Sequence, residues 1–161
     1  DIPNVIKNVA EVIPNVKFIL AGSGDIDELR KLSRKYEIED NIVFPGWVRG
    51  DKKDEILKQS DIFFLPSYNE GMPMAILDAM GYGLPIISTN VGGIPKIVRQ
   101  GKNGYLFEAG DIESFSKKII ELLNSKNKIE EYGEESFKIV KEEYSLESHI
   151  NMITKLYNMN I

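Results

Sequence analysis

I-F-F-L-P-S-Y-N-E-G-M-P-M-A-I-L-D-A-M, residues 62–80, sets a strand, a loop and a helix end to end. The apolar run I-F-F-L-P (62–66) is strand-sized and too short for a helix of its own. Pro73 suits the first turn of a helix, where its missing N–H is no loss, and predicts a helix over 73–81. Two acids, Glu70 in the loop and Asp78 in the helix, stand with no other charge between them.

The same alternation extends in both directions. Apolar spacing predicts helices over 2–13, 25–36 and 51–60, and strands over 16–22 and 41–46. Downstream come a strand at 84–89, a short helix at 94–98, a strand at 104–107, and helices at 111–124, 127–142 and 146–158. Strands alternating with helices imply a parallel sheet covered on both faces. The expected fold is therefore α/β, a doubly wound Rossmann-like sheet forming one domain over 1–161. In such sheets ligands bind outside the carboxyl ends of the strands. A-G-S-G (21–24), P-G-W-V-R (45–49), P-S-Y-N-E-G-M-P (66–73) and T-N-V-G-G-I-P (89–95) all fall there.

Composition narrows the chemistry. A formal charge of −5 argues against a nucleic-acid partner, whose phosphates call for a basic face. The chain has no cysteine, hence no disulfide framework, no thiol nucleophile and no Cys-zinc site, which fits a cytoplasmic setting. No apolar run is long enough to span a bilayer. The chain opens on Asp1 inside a predicted helix, without an initiator methionine, and reads as a fragment.

Gly71 frees the loop to approach a ligand closely. The helix that follows offers unpaired N–H groups and a positive dipole end, an anion site at Gly71, Met72 and Met74. Asp78 can accept two hydrogen bonds from a vicinal diol. Each acid also has a plainer reading: Glu70 as a complement to the helix dipole, Asp78 as a solvent-facing residue. The paired Gly92 and Gly93 either shape a turn or bring the backbone near a ligand.

N-E-G-M-P-M-A-I-L-D-A-M-G-Y-G-L-P-I-I-S-T-N-V-G-G-I-P-K-I-V-R-Q-G-K-N-G-Y-L-F-E-A-G-D (69–111) resembles the donor-binding, carboxyl-terminal half of the group 1 family of retaining glycosyltransferases. L-A-G-S-G, F-P-G-W-V and E-E-Y-S fall where that family has similar residues, so the likeness runs to about residue 158. These are two-domain enzymes of the GT-B type. The resemblance implies a UDP- or GDP-sugar donor, with Glu70 on the sugar hydroxyls as the catalytic-site acid. It implies backbone contacts from Gly71, Met72 and Met74, and ribose contacts from Asp78, where the family usually has glutamate. Trp47 and Val48 would meet the base, and Gly22 and Gly24 would line the crevice floor. It implies no metal and no cofactor beyond the donor itself. The family's first strand, its diphosphate-binding cations and its acceptor domain would all precede Asp1. The lost strand would leave a gap between strands 16–22 and 62–66, and the fragment alone should be inactive. The intact enzyme would glycosylate a glycan or lipid-linked acceptor, with peripheral membrane association. The alternatives are a sugar epimerase on this architecture and a non-catalytic nucleotide-sugar-binding module.

Other polar residues read as structural. Lys52, Lys53, Asp51 and Asp54 look like an exposed helix start, and Lys96 and Arg99 look solvated. Met72, Met74 and Met80 read as flexible packing, and Trp47 as packing on the crevice wall with the base met by backbone. His149, the one histidine, has no metal-ligand partners at useful spacing.

Overall fold

Strand and helix alternate as the periodicity predicts. The computed structural model describes residues 1–158, with the side chains of His149, Met152, Leu156, Tyr157 and Asn158 outside the described set. Five short strands, β1 (Phe18–Ala21), β2 (Ile42–Gly46), β3 (Phe63–Leu65), β4 (Ile86–Thr89) and β5 (Gly104–Phe107), are all parallel to their neighbours. Between and around them run α1 (Ile2–Val12), α2 (Ile26–Lys35), α3 (Asp51–Gln59), α4 (Met74–Gly81) and α5 (Ile94–Ile97). Three more helices close the chain: α6 (Ile112–Leu123), α7 (Lys126–Ile139) and α8 (Leu146–Asn158).

Side chains alternate across a strand, and β4 shows what that does here. Ile86 and Ile87 are adjacent and both fully buried, yet they join different cores. Ile87 packs with Val5, Ile6, Phe18, Phe115 and Leu122 from α1, β1 and α6, while Ile86 packs with Ile76, Met80, Ile94 and Ile97 from α4 and α5. Both faces of the central strand are therefore covered, as a near-continuous apolar strand requires. Each such side chain contributes about 1.5–3 kcal/mol when fully buried. Carboxylate caps start two of the helices: Asp25 accepts from the Glu28 N–H and Asp111 from the Ser114 N–H, each at 3.0 Å.

The strands form two sets, β1–β2 and β3–β4–β5, and among the described residues no ladder joins β1 to β3. This is the expected gap. Across it, the rings of Phe18 and Phe64 meet edge to face with centroids 5.4 Å apart.

Three local expectations change. Pro73 lies just outside its helix as the N-cap, and α4 begins at Met74. The helix predicted over 127–142 stops at Ile139 and widens into a π turn over Val140–Tyr144. Arg99, although partly exposed, is paired: it donates to both oxygens of Glu143 at 2.5 and 2.6 Å, while the Tyr144 hydroxyl donates to the Lys96 carbonyl at 3.0 Å. These links join the π turn to α5 and the residues just after it, tertiary contacts that periodicity does not carry. Among the described residues no helix is long and apolar enough to cross a membrane.

Candidate functional site

The register places the decisive loops side by side. Leu65 pairs with Ser88, so the chain leaves β3 and β4 at the same edge. Past that point two buried hydroxyls continue the connection. Ser88 donates to the Leu65 carbonyl at 2.7 Å, and Thr89 to the Ser67 carbonyl at 2.6 Å. Both residues are fully buried, so each hydroxyl needs the partner it has found. Ser67, held in this way, donates through its own hydroxyl to Oε1 of Glu70 at 2.8 Å. The acid that the sequence singles out is half-buried and aimed by a neighbour that the sequence did not mark.

A second brace fixes the backbone of the same loop. The Gly93 N–H donates to the Gly71 carbonyl at 2.7 Å. At Gly92, φ is +55°, and a Cβ there would lie 1.6 Å from the Glu70 carbonyl oxygen. A Cβ on Gly93 would lie 2.3 Å from the carbonyl oxygen of Gly71. Close approach is thus the reason for both glycines, and what they approach is the Glu70–Gly71 backbone. A Cβ on Gly71 itself would meet only open space, so nothing in the surrounding protein dictates glycine there.

Beyond the brace, α4 starts with no acid in its first turn. Among the described residues, no acceptor reaches the N–H groups of Gly71, Met72 or Met74. Met74 opens α4, and Gly71 and Met72 lie in the loop just before it, directly after Glu70; free N–H groups at and before a helix N-terminus suit an anion. Met72 and Met74 are exposed while Met80 is buried in the core, so the three methionines do not cluster.

Asp78 lies on the next turn of α4, and its Oδ2 accepts from Nζ of Lys53 on α3 at 2.8 Å. That bond raises the ammonium's pKa above its ordinary value. Lys53 is therefore no ordinary exposed helix start, and the pairing could not be read from residues this far apart in sequence.

The other predicted residues gather at the ends of β1 and β2. The Gly22 N–H donates to the Gly46 carbonyl at 3.0 Å, which sets the loop holding Gly24 beside the loop holding Trp47 and Val48. Cβ atoms on Gly22 and Gly24 would meet nothing within 4 Å. Trp47 is 64 % exposed rather than packed, with the Arg49 guanidinium 5.3 Å from its ring. Two open hollows, of about 330 Å³ along α3 and about 400 Å³ beside α8, include none of Glu70, Gly71 or Asp78.

The model of the glycosyl transferases group 1 family matches residues 1–139. The chain belongs to that family. It is 31% identical over 159 residues to the N-acetyl-alpha-D-glucosaminyl L-malate synthase of Bacillus anthracis, covering 97% of this chain and 41% of that protein. Its fold superposes on S. aureus TarM, solved with UDP, alpha-GlcNAc-glycerol and fondaparinux, at a TM-score of 0.86 and 25% identity. That likeness covers 98% of this chain and 32% of TarM. The carboxyl-terminal domain of the group 1 protein LpcC from Francisella tularensis matches at a TM-score of 0.78 and 20% identity, over 90% of this chain and 80% of that one. This group 1 chain thus has the Rossmann-like fold of the carboxyl-terminal half of GT-B glycosyltransferases, and it spans about two fifths or less of the curated relatives it matches.

Proposed function

We propose that this chain is the donor-binding domain of a retaining glycosyltransferase that moves a hexose from a UDP- or GDP-sugar to a glycan or lipid-linked acceptor. The reading rests on one observation above all: Glu70, aimed by Ser67, stands beside the unpartnered N–H groups at the start of α4. A diphosphate seated on those donors would bring its sugar to the carboxylate. Glycosyl transfer requires an anionic nucleoside diphosphate to leave while positive charge builds on the sugar ring. Donors fixed in advance at the leaving group lower that barrier without reorganising. Glu70 accepts from sugar hydroxyls and orients the ring. Asp78 takes the ribose, and Trp47 and Val48 flank the base. Phosphate charge falls to backbone N–H groups and to cations outside this domain, with no metal. The acceptor site lies on a separate amino-terminal domain of a cytoplasmic enzyme associated peripherally with the membrane.

Calorimetry on the full-length protein separates the two acids. A hydrogen bond to a charged group contributes about 1.5–3 kcal/mol, roughly a 10- to 150-fold change in affinity. Asp78→Ala should weaken free nucleoside diphosphate and nucleotide sugar alike. Glu70→Ala should spare the free diphosphate while weakening the nucleotide sugar and, more severely, turnover. Equal loss of both ligands in Glu70→Ala would overturn the division of roles.

A further inference from the structure

We infer that Lys53 and Asp78 act together as the ribose-recognition unit, the ammonium contacting one hydroxyl of the diol and the carboxylate the other. The inference rests on the nucleotide-sugar reading above and adds a residue to it. One carboxylate oxygen, Oδ2, is taken by Nζ at 2.8 Å, and among the described residues no donor reaches Oδ1. An ammonium has three protons, and this one spends one on Asp78. The pair therefore shows an unused acceptor and unused donors side by side. A vicinal diol matches such a surface, because each of its hydroxyls can both donate and accept.

Placement supports the pairing. Lys53 and Asp78 are 38% and 39% exposed, open enough for a ligand yet held against each other. Lys53 sits in the first turn of α3, directly after the loop that carries Trp47 and Val48, whereas Asp78 is on the helix that begins at the anion site. The contact thus joins the end of the site read as base-binding to the end read as diphosphate-binding, where a ribose would lie. Aspartate is also the shorter acid, and an ammonium beside it extends the reach of the unit. An exposed ion pair with no ligand to bind adds little to stability, so a purely structural role would leave ligand discrimination untouched.

The test titrates UDP, GDP and their 2′,3′-dideoxy counterparts into full-length wild type, Lys53→Met, Lys53→Arg and Asp78→Asn. Wild type should prefer whichever ribonucleotide it binds over the dideoxy form. Lys53→Met should weaken the ribonucleotide roughly 10-fold, the loss of one charge-assisted hydrogen bond, and leave the dideoxy form unchanged. Lys53→Arg should restore part of the preference. If Lys53→Met weakens both forms equally, the lysine acts only as a general positive charge and the inference fails. It fails equally if neither form is affected while Asp78→Asn still loses the preference. Wild type that binds neither UDP nor GDP, or Asp78→Asn that keeps the full preference, would instead overturn the parent reading and this one with it.

Discussion

Gly92→Ala tests whether the glycine pair holds the loop of Glu70. The new Cβ would sit 1.6 Å from the Glu70 carbonyl oxygen, where ordinary contact begins near 3.4 Å, and the obstacle is backbone that cannot rotate away. The two loops would have to part by well over an ångström. Holding alanine at φ +55° adds about 1–2 kcal/mol of strain, and losing the Gly93–Gly71 hydrogen bond adds about 0.5–1.5 kcal/mol. For a domain of this size about 2–3 kcal/mol corresponds to a fall in melting temperature of roughly 5–10 °C. The larger effect should be on catalysis, because a misplacement of about 1 Å can lower turnover on the order of 100-fold. Donor turnover and thermal unfolding of the full-length variant measure both. Gly24→Ala is the stability control, since its Cβ meets open space at an ordinary φ. Wild-type melting and turnover within about 3-fold in Gly92→Ala would refute the bracing argument.

Three further outcomes follow from other contacts. Ser67→Ala removes the donor that aims Glu70 and should lower kcat/KM roughly 10-fold, with free nucleoside diphosphate bound as before; parallel loss of both in calorimetry would mean that Ser67 acts elsewhere. Hydrogen bonds from Lys118 and Lys128 hold the Glu121 carboxyl down to about 2, so its contribution is complete above the ordinary glutamate range and fades as pH falls from about 4.5 towards 2. Because the trio is partly exposed, the effect should stay below about 1 kcal/mol; the melting difference between wild type and Glu121→Gln should shrink on acidification, and a difference independent of pH would contradict the assignment. Purified residues 1–161 should transfer no sugar above the uncatalysed rate in a radiolabelled-donor assay, because the acceptor site is proposed to lie outside them.

The order of elements was legible because burial is written into local pattern. The run at 62–66 and the apolar stripe of 2–13 read correctly from period alone, and the loops read as candidates for binding do lie at the ends of the strands, where an open parallel sheet puts ligands. What escaped was contact between segments. Ser67, Thr89 and Lys53 are ordinary residues in sequence, and each gains its role from a partner supplied by folding. Lys53 reaches Asp78 across 25 positions, and Thr89 reaches Ser67 across 22. The π turn after Ile139 was not legible either, and it carries a contact between distant segments, Arg99 on Glu143. Gly92 and Gly93 were legible as unusual but not as to purpose. A glycine pair reports that something comes close, and only the fold says that it is the backbone of Glu70 and Gly71.

That distinction bears on how the site keeps its geometry. Glu70 stands on a loop, and loops hold a side chain less firmly than helices or strands do. Here the Thr89 hydroxyl on the Ser67 carbonyl ties the loop to β4, the Gly93 N–H on the Gly71 carbonyl ties it to the turn after β4, and the Ser67 hydroxyl within the loop aims the carboxylate. The strand that supplies Thr89 is buried on both faces, so the acid takes its position from a fully packed strand. The ends of β1 and β2 have no such tie, because no ladder crosses from β1 to β3 among the described residues. Glycines 22 and 24 and Trp47 therefore answer to a different set of strands than Glu70 does. At this edge, among the described residues, one charged bond runs between the segment that follows β2 and the helix that follows β3, from Lys53 at the start of α3 to Asp78 on α4. A ligand that spans the edge bridges both sets. On the proposed donor reading, the placing of sugar relative to base would depend on Lys53 as well as on the two acids.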